Sequence, residues 1–382
     1  MRIQVFPALN GDCILIEYIQ SHYILVDGGY IDTYNKYIKP ALNSIAESGG
    51  QIDLIVASHI DRDHISGIIK LLEDDRFNIP IKNIWYNGYR HVQPITQISE
   101  KAEIVVHKNI CKGCNSEKEQ QVSAKGGCTL SMNIQKRGID WNKPTNGNTL
   151  KAPLSVKLDD CLIHILSPND DDIQNLSSHW KKELIKKGLL SQAHSDEYWD
   201  DAFEFNLSKD KPGFHFHTKK VSNSIDLEKI KCTEYKADDS ATNGSSISFI
   251  IESEEKKLLF LGDSHAETII ESIKKLYGSE NYPLWFDVVK LSHHGSYNNN
   301  SPELFKIIDA DKWIVSTNGE GYNHPDEATL AHIIAKDKIH MRGIYFNYTL
   351  PICERFNQAD LHNEYQFNII VPTSDSGIDL KI

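Results

Sequence analysis

Read only for apolar and polar positions, the chain opens as strands. Ile3–Phe6, Cys13–Tyr18 and Tyr23–Val26 are short apolar segments parted by Asn10-Gly11-Asp12 and Gln20-Ser21-His22. That spacing predicts consecutive strands with tight connections. The period then changes. Tyr34–Ala46 repeats at helical spacing and stops at Gly49-Gly50, Ile52–Ala57 is a β-type run, Ile65–Leu72 a helix behind it, and Ile81–Tyr86 a further strand. Ser123–Arg137 predicts a helix in spite of Gly126-Gly127, and Cys161–Leu166 a strand. Ile247–Ile251 and Lys257–Leu261 predict a hairpin through the charged Glu252–Lys256; Ala266–Tyr277 is a helix and Phe286–Leu291 a strand. Ser301-Pro302-Glu303 has the serine and proline of a helix start, and Trp313–Ser316 and Gln366–Val371 are late strands.

Between these strand-rich halves the pattern weakens. Residues 100–148 and 170–241 read as irregular insertions within a single domain spanning 1–382. Ile173–Leu190 is a helix containing Trp180, Ser195–Asp201 is acidic, and Lys209–Lys220 is basic. Phe214-His215-Phe216-His217 reads as one face of an exposed strand. Long connections in compact domains are usually functional or loose, so the second insertion is expected to lie over the site as a lid.

Composition narrows the class. The 382 residues suffice for a substantial core, and 40% hydrophobic with 25% charged residues is ordinary for a soluble globular protein. A net charge of −12 argues against broad, sequence-blind nucleic-acid binding, though not against a local basic channel. No apolar run is long enough for a membrane span, and Met1–Pro7 reads as a first strand rather than a signal peptide. Seven scattered cysteines fit a reducing compartment, hence the cytoplasm. His107, Cys111, Cys114 and Cys128 offer a structural zinc site, but no second C-x-x-C completes it, so incidental thiols are the preferred reading.

The chemistry concentrates where strands end. Leu54–Ala57 breaks off into Ser58-His59-Ile60-Asp61-Arg62-Asp63-His64, an H-x-D-x-D-H pattern, before Gly67. Such side chains converge only if the backbone turns sharply at the carboxyl end of a strand, where α/β sheets place their sites. Close carboxylates repel unless a cation lies between them. The plain alternative is a polar loop with an aspartate N-cap. Against it, the same syntax recurs at Asp27-Gly28, Gly262-Asp263 and His293-His294-Gly295. Gathered on one rim, these suit two metal ions bridged by a carboxylate.

In that order, with Asp27-Gly28-Gly29 first and Asn323-His324-Pro325 last, the motifs resemble the metallo-β-lactamase superfamily, and within it the stand-alone relatives of the ComEC-type domain. The resemblance implies an α/β (α+β) fold, a four-layer αββα sandwich with a long insertion in the middle. It further implies that His59 and Asp61 hold one metal, Asp61 standing where most relatives have histidine, and that Asp63 and His64 hold the second. Asp263 matches the bridging carboxylate, one of His293 and His294 the late ligand, and Asp27 an acid that orients ligands. Asn243 stands near the place of a missing ligand histidine. Two divalent ions are implied, zinc or manganese, with magnesium also compatible.

By the same resemblance the function is metal-dependent hydrolysis of a phosphodiester in a nucleotide or nucleic acid. Asp63 guides the nucleophile's proton, and the spare histidine of the pair, Ser296 and His324 meet the substrate or leaving group. A thioester or lactone hydrolase is the alternative enzyme. A regulatory sensor of a bacterial defence system, with a protein partner docked on 170–241, is the alternative of another class.

Overall fold

Alternation along the strands sets the layers. In β3 (His22–Val26), Ile24 and Val26 point one way and Leu25 the other; in β10 (Lys257–Phe260), Leu258 and Phe260 oppose Leu259. Ile24, Val26, Leu258 and Phe260 meet in one buried cluster, with Leu54, Val56, Phe249, Ile251, Val288 and Ile314, between two sheets. Leu25 and Leu259 face outward, each under its own layer of helices. A period of two, apolar on both faces, is what a strand covered on both sides requires.

The computed structural model describes residues 1–76, 79–92, 129–187, 196–207, 225–253, 255–278 and 282–382. The first sheet has seven strands in the order β15-β1-β2-β3-β4-β5-β6, the second eight in the order β14-β13-β12-β11-β10-β9-β8-β7. Each is mixed. β15 (Ile378–Lys381), β1 (Arg2–Val5), β2 (Ile14–Ile19) and β3 pair antiparallel, and β4 (Gln51–Val56), β5 (Asn83–Trp85) and β6 (Asp140–Trp141) continue in parallel. In the second sheet β7 (Leu154–Leu158), β8 (Cys161–Ser167), β9 (Ser248–Glu252) and β10 are antiparallel. β11 (Leu284–Lys290), β12 (Ile308–Val315), β13 (Arg342–Phe346) and β14 (Phe367–Ile370) then run parallel. The expected αββα sandwich is therefore present. β7, β13 and β15 fall where no strand was expected: they are four or five residues long, β7 is an edge strand paired only with β8, and the ladders of β13 and β15 join residues far apart in sequence.

The middle of the chain contributes core. Leu176, Trp180 and Leu184 of the helix Asp170–Lys187 and Ala202, Phe203 and Leu207 of the helix Asp196–Leu207 lie buried in the cluster over the first sheet. The helix Leu130–Arg137 begins at Thr129, whose hydroxyl accepts from the Met132 amide, and docks through Glu204. The Glu204 carboxylate takes hydrogen bonds from the main-chain N–H groups of Leu130 (2.6 Å) and Ser131 (2.9 Å). Burial nevertheless pushes this carboxyl up to about 7. His107, Cys111, Cys114, Cys128 and Phe214–His217 lie outside the described residues. Among the described residues no helix is long and apolar enough to cross a membrane.

Two close approaches fix the rim. A Cβ on Gly67 would sit 1.9 Å from the Gly28 carbonyl oxygen, and one on Gly11 1.9 Å from that of Asp63. The helix Arg62–Glu73 thus lies directly against the loops after β1 and β3.

Three outcomes test this fold. Gly67→Ala should force that helix off the Gly28 loop and cost about 1–3 kcal/mol, read as a lower urea midpoint. Leu291→Asp, a charge at a position 1% exposed, should cost several kcal/mol and solubility. Glu204 holds its proton more tightly folded than unfolded, so stability is fullest below the unfolded value of 4.5 and falls as pH rises to about 7. Melting curves across that window should show the wild type losing stability relative to Glu204→Gln, and a flat difference would refute the coupling.

Candidate metal centre

β3 and β4 are parallel with Val26 beside Val56, so Asp27 and Ser58-His59 leave the first sheet side by side. Asp27 turns into the left-handed region at φ 56°. Its carboxylate accepts from the Ser58 amide at 2.7 Å and the Ser58 hydroxyl at 2.8 Å. Asp61 stands at the N-cap of the helix Arg62–Glu73, yet its side chain makes no capping bond. Its Oδ2 instead faces His59 Nε2 at 3.7 Å. A purely structural loop would use that carboxylate on the helix amides. Asp63 and His64 fill the first helical turn, both fully buried.

The second sheet supplies the rest. Asp263 follows β10 across Gly262, and His293 and His294 follow β11. Both histidines are left-handed, at φ 45° and 58°. That costs on the order of 1–2 kcal/mol per residue, and it lets two adjacent rings share one cleft.

The imidazoles converge on a single atom. The distances to Asp263 Oδ2 are 3.7 Å from His59 Nε2, 3.6 Å from His64 Nε2, 3.8 Å from His293 Nε2 and 3.9 Å from His294 Nε2. Each ring's other nitrogen is engaged. Nδ1 of His64 donates to Asp27 Oδ2 at 2.8 Å, that of His293 to Asn299 Oδ1 at 2.8 Å, and that of His294 to the Ser316 carbonyl at 2.7 Å. His59 Nδ1 lies 3.1 Å from the Ser58 hydroxyl, whose proton goes to Asp27. Such partners fix the tautomer that turns Nε2 toward a metal.

The donors fit divalent ions. Ligand atoms about 2.0–2.2 Å from one ion stand about 3–4 Å apart, the spacing seen around Asp263. Among the described residues, His59 Nε2, His64 Nε2 and Asp61 Oδ1 are buried without a hydrogen-bond partner, which is rare unless another group satisfies them. Donor atoms of His59, His64 and Asp263 lie within 4.8 Å of one another, as do those of Asp63, His64 and His294. The local field also favours a cation. Burial opposes charge on His64, but the carboxylates of Asp263, Asp27 and Asp63 outweigh it and hold its pKa well above the ordinary value.

Of the residues singled out in the sequence, His59, Asp61, Asp63, His64, Asp263, His293 and His294 are thus brought together, with Asp27 behind them. His324 is near: its ring centroid lies 5.3 Å from that of His293, and its Nδ1 is 3.5 Å from Asp326 Oδ2. Asn243 turns its amide to Asp238 Oδ2 at 2.7 Å, and lies 3.5 Å from His293 Nδ1. Ser296 is buried, and its carbonyl accepts from Asn300.

Four contributors went unread in the sequence. Asn10 donates to Asp63 Oδ2 at 2.9 Å. Asn299 joins His293 to Asp238, donating to the latter at 2.9 Å. Asp12 pairs with the ammonium of Lys290, and its other oxygen lies 3.6 Å from His294 Nδ1. Burial alone would raise the Asp12 carboxyl, but Lys290 and His294 prevail and hold it well below the usual range. The readable signal was Lys290 itself, a lysine on the inward face of an apolar strand.

Lys290→Met leaves Asp12 buried and unpaired, a change expected to cost about 3–5 kcal/mol. Denaturant titration should show most of that loss recovered in Asp12→Asn/Lys290→Met, and no recovery would mean the pair acts through packing.

The family model of the metallo-beta-lactamase superfamily matches residues 7–100, the stretch that carries Asp27 and His59–His64. No curated protein matches the chain. Among solved structures, Zn2+-bound PqqB from Methylobacterium extorquens is similar over 100% of both chains, at 10% identity and a TM-score of 0.40. The metallo-beta-lactamase fold protein YhfI from Bacillus subtilis covers 100% of this chain and 99% of its own, at 9% identity and 0.40. The short form of human tRNase Z covers the same shares at 9% and 0.33. With two mixed sheets, helices on both outer faces and the matched motif at their common rim, the chain has the metallo-β-lactamase fold, and the match over 7–100 supports its place in that superfamily.

Proposed function

We propose that this cleft holds two divalent cations and hydrolyses a phosphodiester, with a nucleotide or nucleic acid as substrate. The observation that carries the proposal is the ring of four imidazole Nε2 atoms 3.6–3.9 Å from one oxygen of Asp263. His59, Asp61 and Asp263 are assigned to one ion, and Asp63, His64, His294 and Asp263 to the other. That set mixes imidazole with carboxylate donors, one nitrogen for the first ion and two for the second, which suits zinc or manganese and leaves magnesium compatible. When bound, such a pair activates water at neutral pH and offsets charge growing on a phosphoryl oxygen.

The chain's own groups do the rest. Asp63, held through Oδ2 by the Asn10 amide, accepts the proton of the attacking water. His324, whose Nδ1 lies 3.5 Å from the Asp326 carboxylate, gives the proton that the leaving oxygen needs. His293, at 14% side-chain exposure the more open of the pair, meets the substrate. The ComEC-type branch is the subgroup proposed, on His293-His294-Gly295-Ser296, Asn323-His324-Pro325 and an asparagine at 243.

Metal analysis should find two equivalents per chain, lost on chelation together with turnover of bis(p-nitrophenyl) phosphate. Asp63→Ala and Asp263→Ala should abolish that turnover with circular dichroism unchanged. Unchanged turnover in either variant rejects the assignment. Turnover confined to thioesters or lactones in a parallel panel would move the site to acyl chemistry.

A further inference from the structure

The floor of the cleft is charged, and three apolar or aromatic side chains stand exposed on the segments that lead into it, beside the polar Asn10, Asp32 and Asn323. Leu9, Ile31 and Tyr322 are 45%, 51% and 48% exposed. Each lies on a segment that reaches the centre, Leu9 and Tyr322 in loops and Ile31 at the start of the short helix Ile31–Thr33. Leu9 precedes Asn10, which holds Asp63; Ile31 follows Tyr30, whose hydroxyl donates to Asn10 Oδ1 at 3.2 Å. Tyr322 comes from the second half of the chain and lies nearly parallel to His324, at 14° and 5.9 Å between centroids. Its ring is 6.4 Å from that of His293, the imidazole that leans on Asp263.

The loop presenting Tyr322 is tied down. The Thr317 amide donates to Asn347 Oδ1, the Asn318 amide to the Leu9 carbonyl at 2.8 Å, and the Asp326 amide to the Gly295 carbonyl. The backbone at Leu9 and the start of the loop that bears Tyr322, from opposite halves of the chain, are thereby joined. An aromatic ring held this way, one face toward His324 and nearly half its surface open, is a ready stacking platform. Bases stack on such rings without regard to sequence, because every base has a π face.

Resting on the phosphodiester reading above, we infer that Tyr322 stacks the base of the nucleotide whose phosphate would bind the cations assigned to Asp263 and its neighbours, with Leu9 and Ile31 against its sugar. A single nucleotide joins a planar apolar group to an anion by a short tether, and the rim offers those two environments in that order. An acyl chain would need a continuous apolar groove, whereas Leu9 projects from a loop and Ile31 from the first turn of a separate short helix.

The test compares two probes on the metal-loaded full chain by calorimetry: a dithymidine phosphorothioate and the same diester with both bases replaced by hydrogen. The wild type should bind the base-bearing probe about tenfold more tightly, within the range base stacking supplies. Tyr322→Ala should bring that preference close to one, and Tyr322→Phe should keep it. A preference retained in Tyr322→Ala, or absent from the wild type while the abasic probe still binds, overturns this inference and leaves the phosphodiester reading standing. Tighter binding of a short-chain phospholipid than of the dinucleotide also overturns it. Failure of both probes to bind, with no phosphodiester turnover, overturns both.

Discussion

Buried negative charge is the constraint the rest of the molecule answers to. Asp12, Asp27, Asp61, Asp63 and Asp263 are each 5% exposed or less and share one rim. Desolvating carboxylates is expensive and crowding them more so. Lys290 meets one of them, main-chain and hydroxyl donors of Ser58 meet another, and His64 is driven toward its protonated form by three. What remains is a concentrated demand for positive charge at Asp263. That demand is of the kind a divalent cation would meet.

Meeting that demand takes both halves of the chain at once. The Ile247 amide donates to the Ser58 carbonyl at 2.7 Å, a main-chain bond that sews the loop after β4 to the entrance of β9. The Asp263 amide donates to the Ser246 hydroxyl at 3.1 Å. The inter-sheet core packs immediately beneath, with Val56, Phe260 and Val288 in contact range of the same cluster. Close-packed interiors transmit displacements rather than absorb them, so the separation of His59 from Asp263 is set by how the sheets seat on each other.

The outer partners of the imidazoles matter as much as the rings. Asp27, Ser58 and the Ser316 carbonyl come from three different strand ends and Asn299 from the loop before the helix Pro302–Ile307, and each fixes one Nδ1. Asn299 is itself held by Asp238, whose carboxyl stays below its usual range: burial would raise it, but the amides of Asn299 and Asn243 prevail. A site built this way resists reorientation of its ligands before any ion arrives.

Much of this was legible residue by residue. Strand ends carrying Asp27, His59–His64, Gly262-Asp263 and His293-His294 announce themselves because a strand's apolar period breaks where its polar cluster starts. Helix starts such as Ser301-Pro302 read correctly for the same local reason, the serine hydroxyl accepting from the Leu304 amide at 3.1 Å. Asp12 and Lys290 did not read, since 278 residues separate them and each alone looks like a turn residue and a stray lysine. Nor did β7, β13 and β15, whose existence is decided by the ladder beside them, nor the burial of Trp180 and Phe203 from the middle of the chain. The sequence by itself determined which side chains were available for the chemistry, because ligand type and local backbone turns are properties of neighbours along the chain. Only the tertiary structure decided that four imidazoles share one carboxylate oxygen and that His294 joins Asp63 and His64, because those distances depend on how two sheets pack face to face.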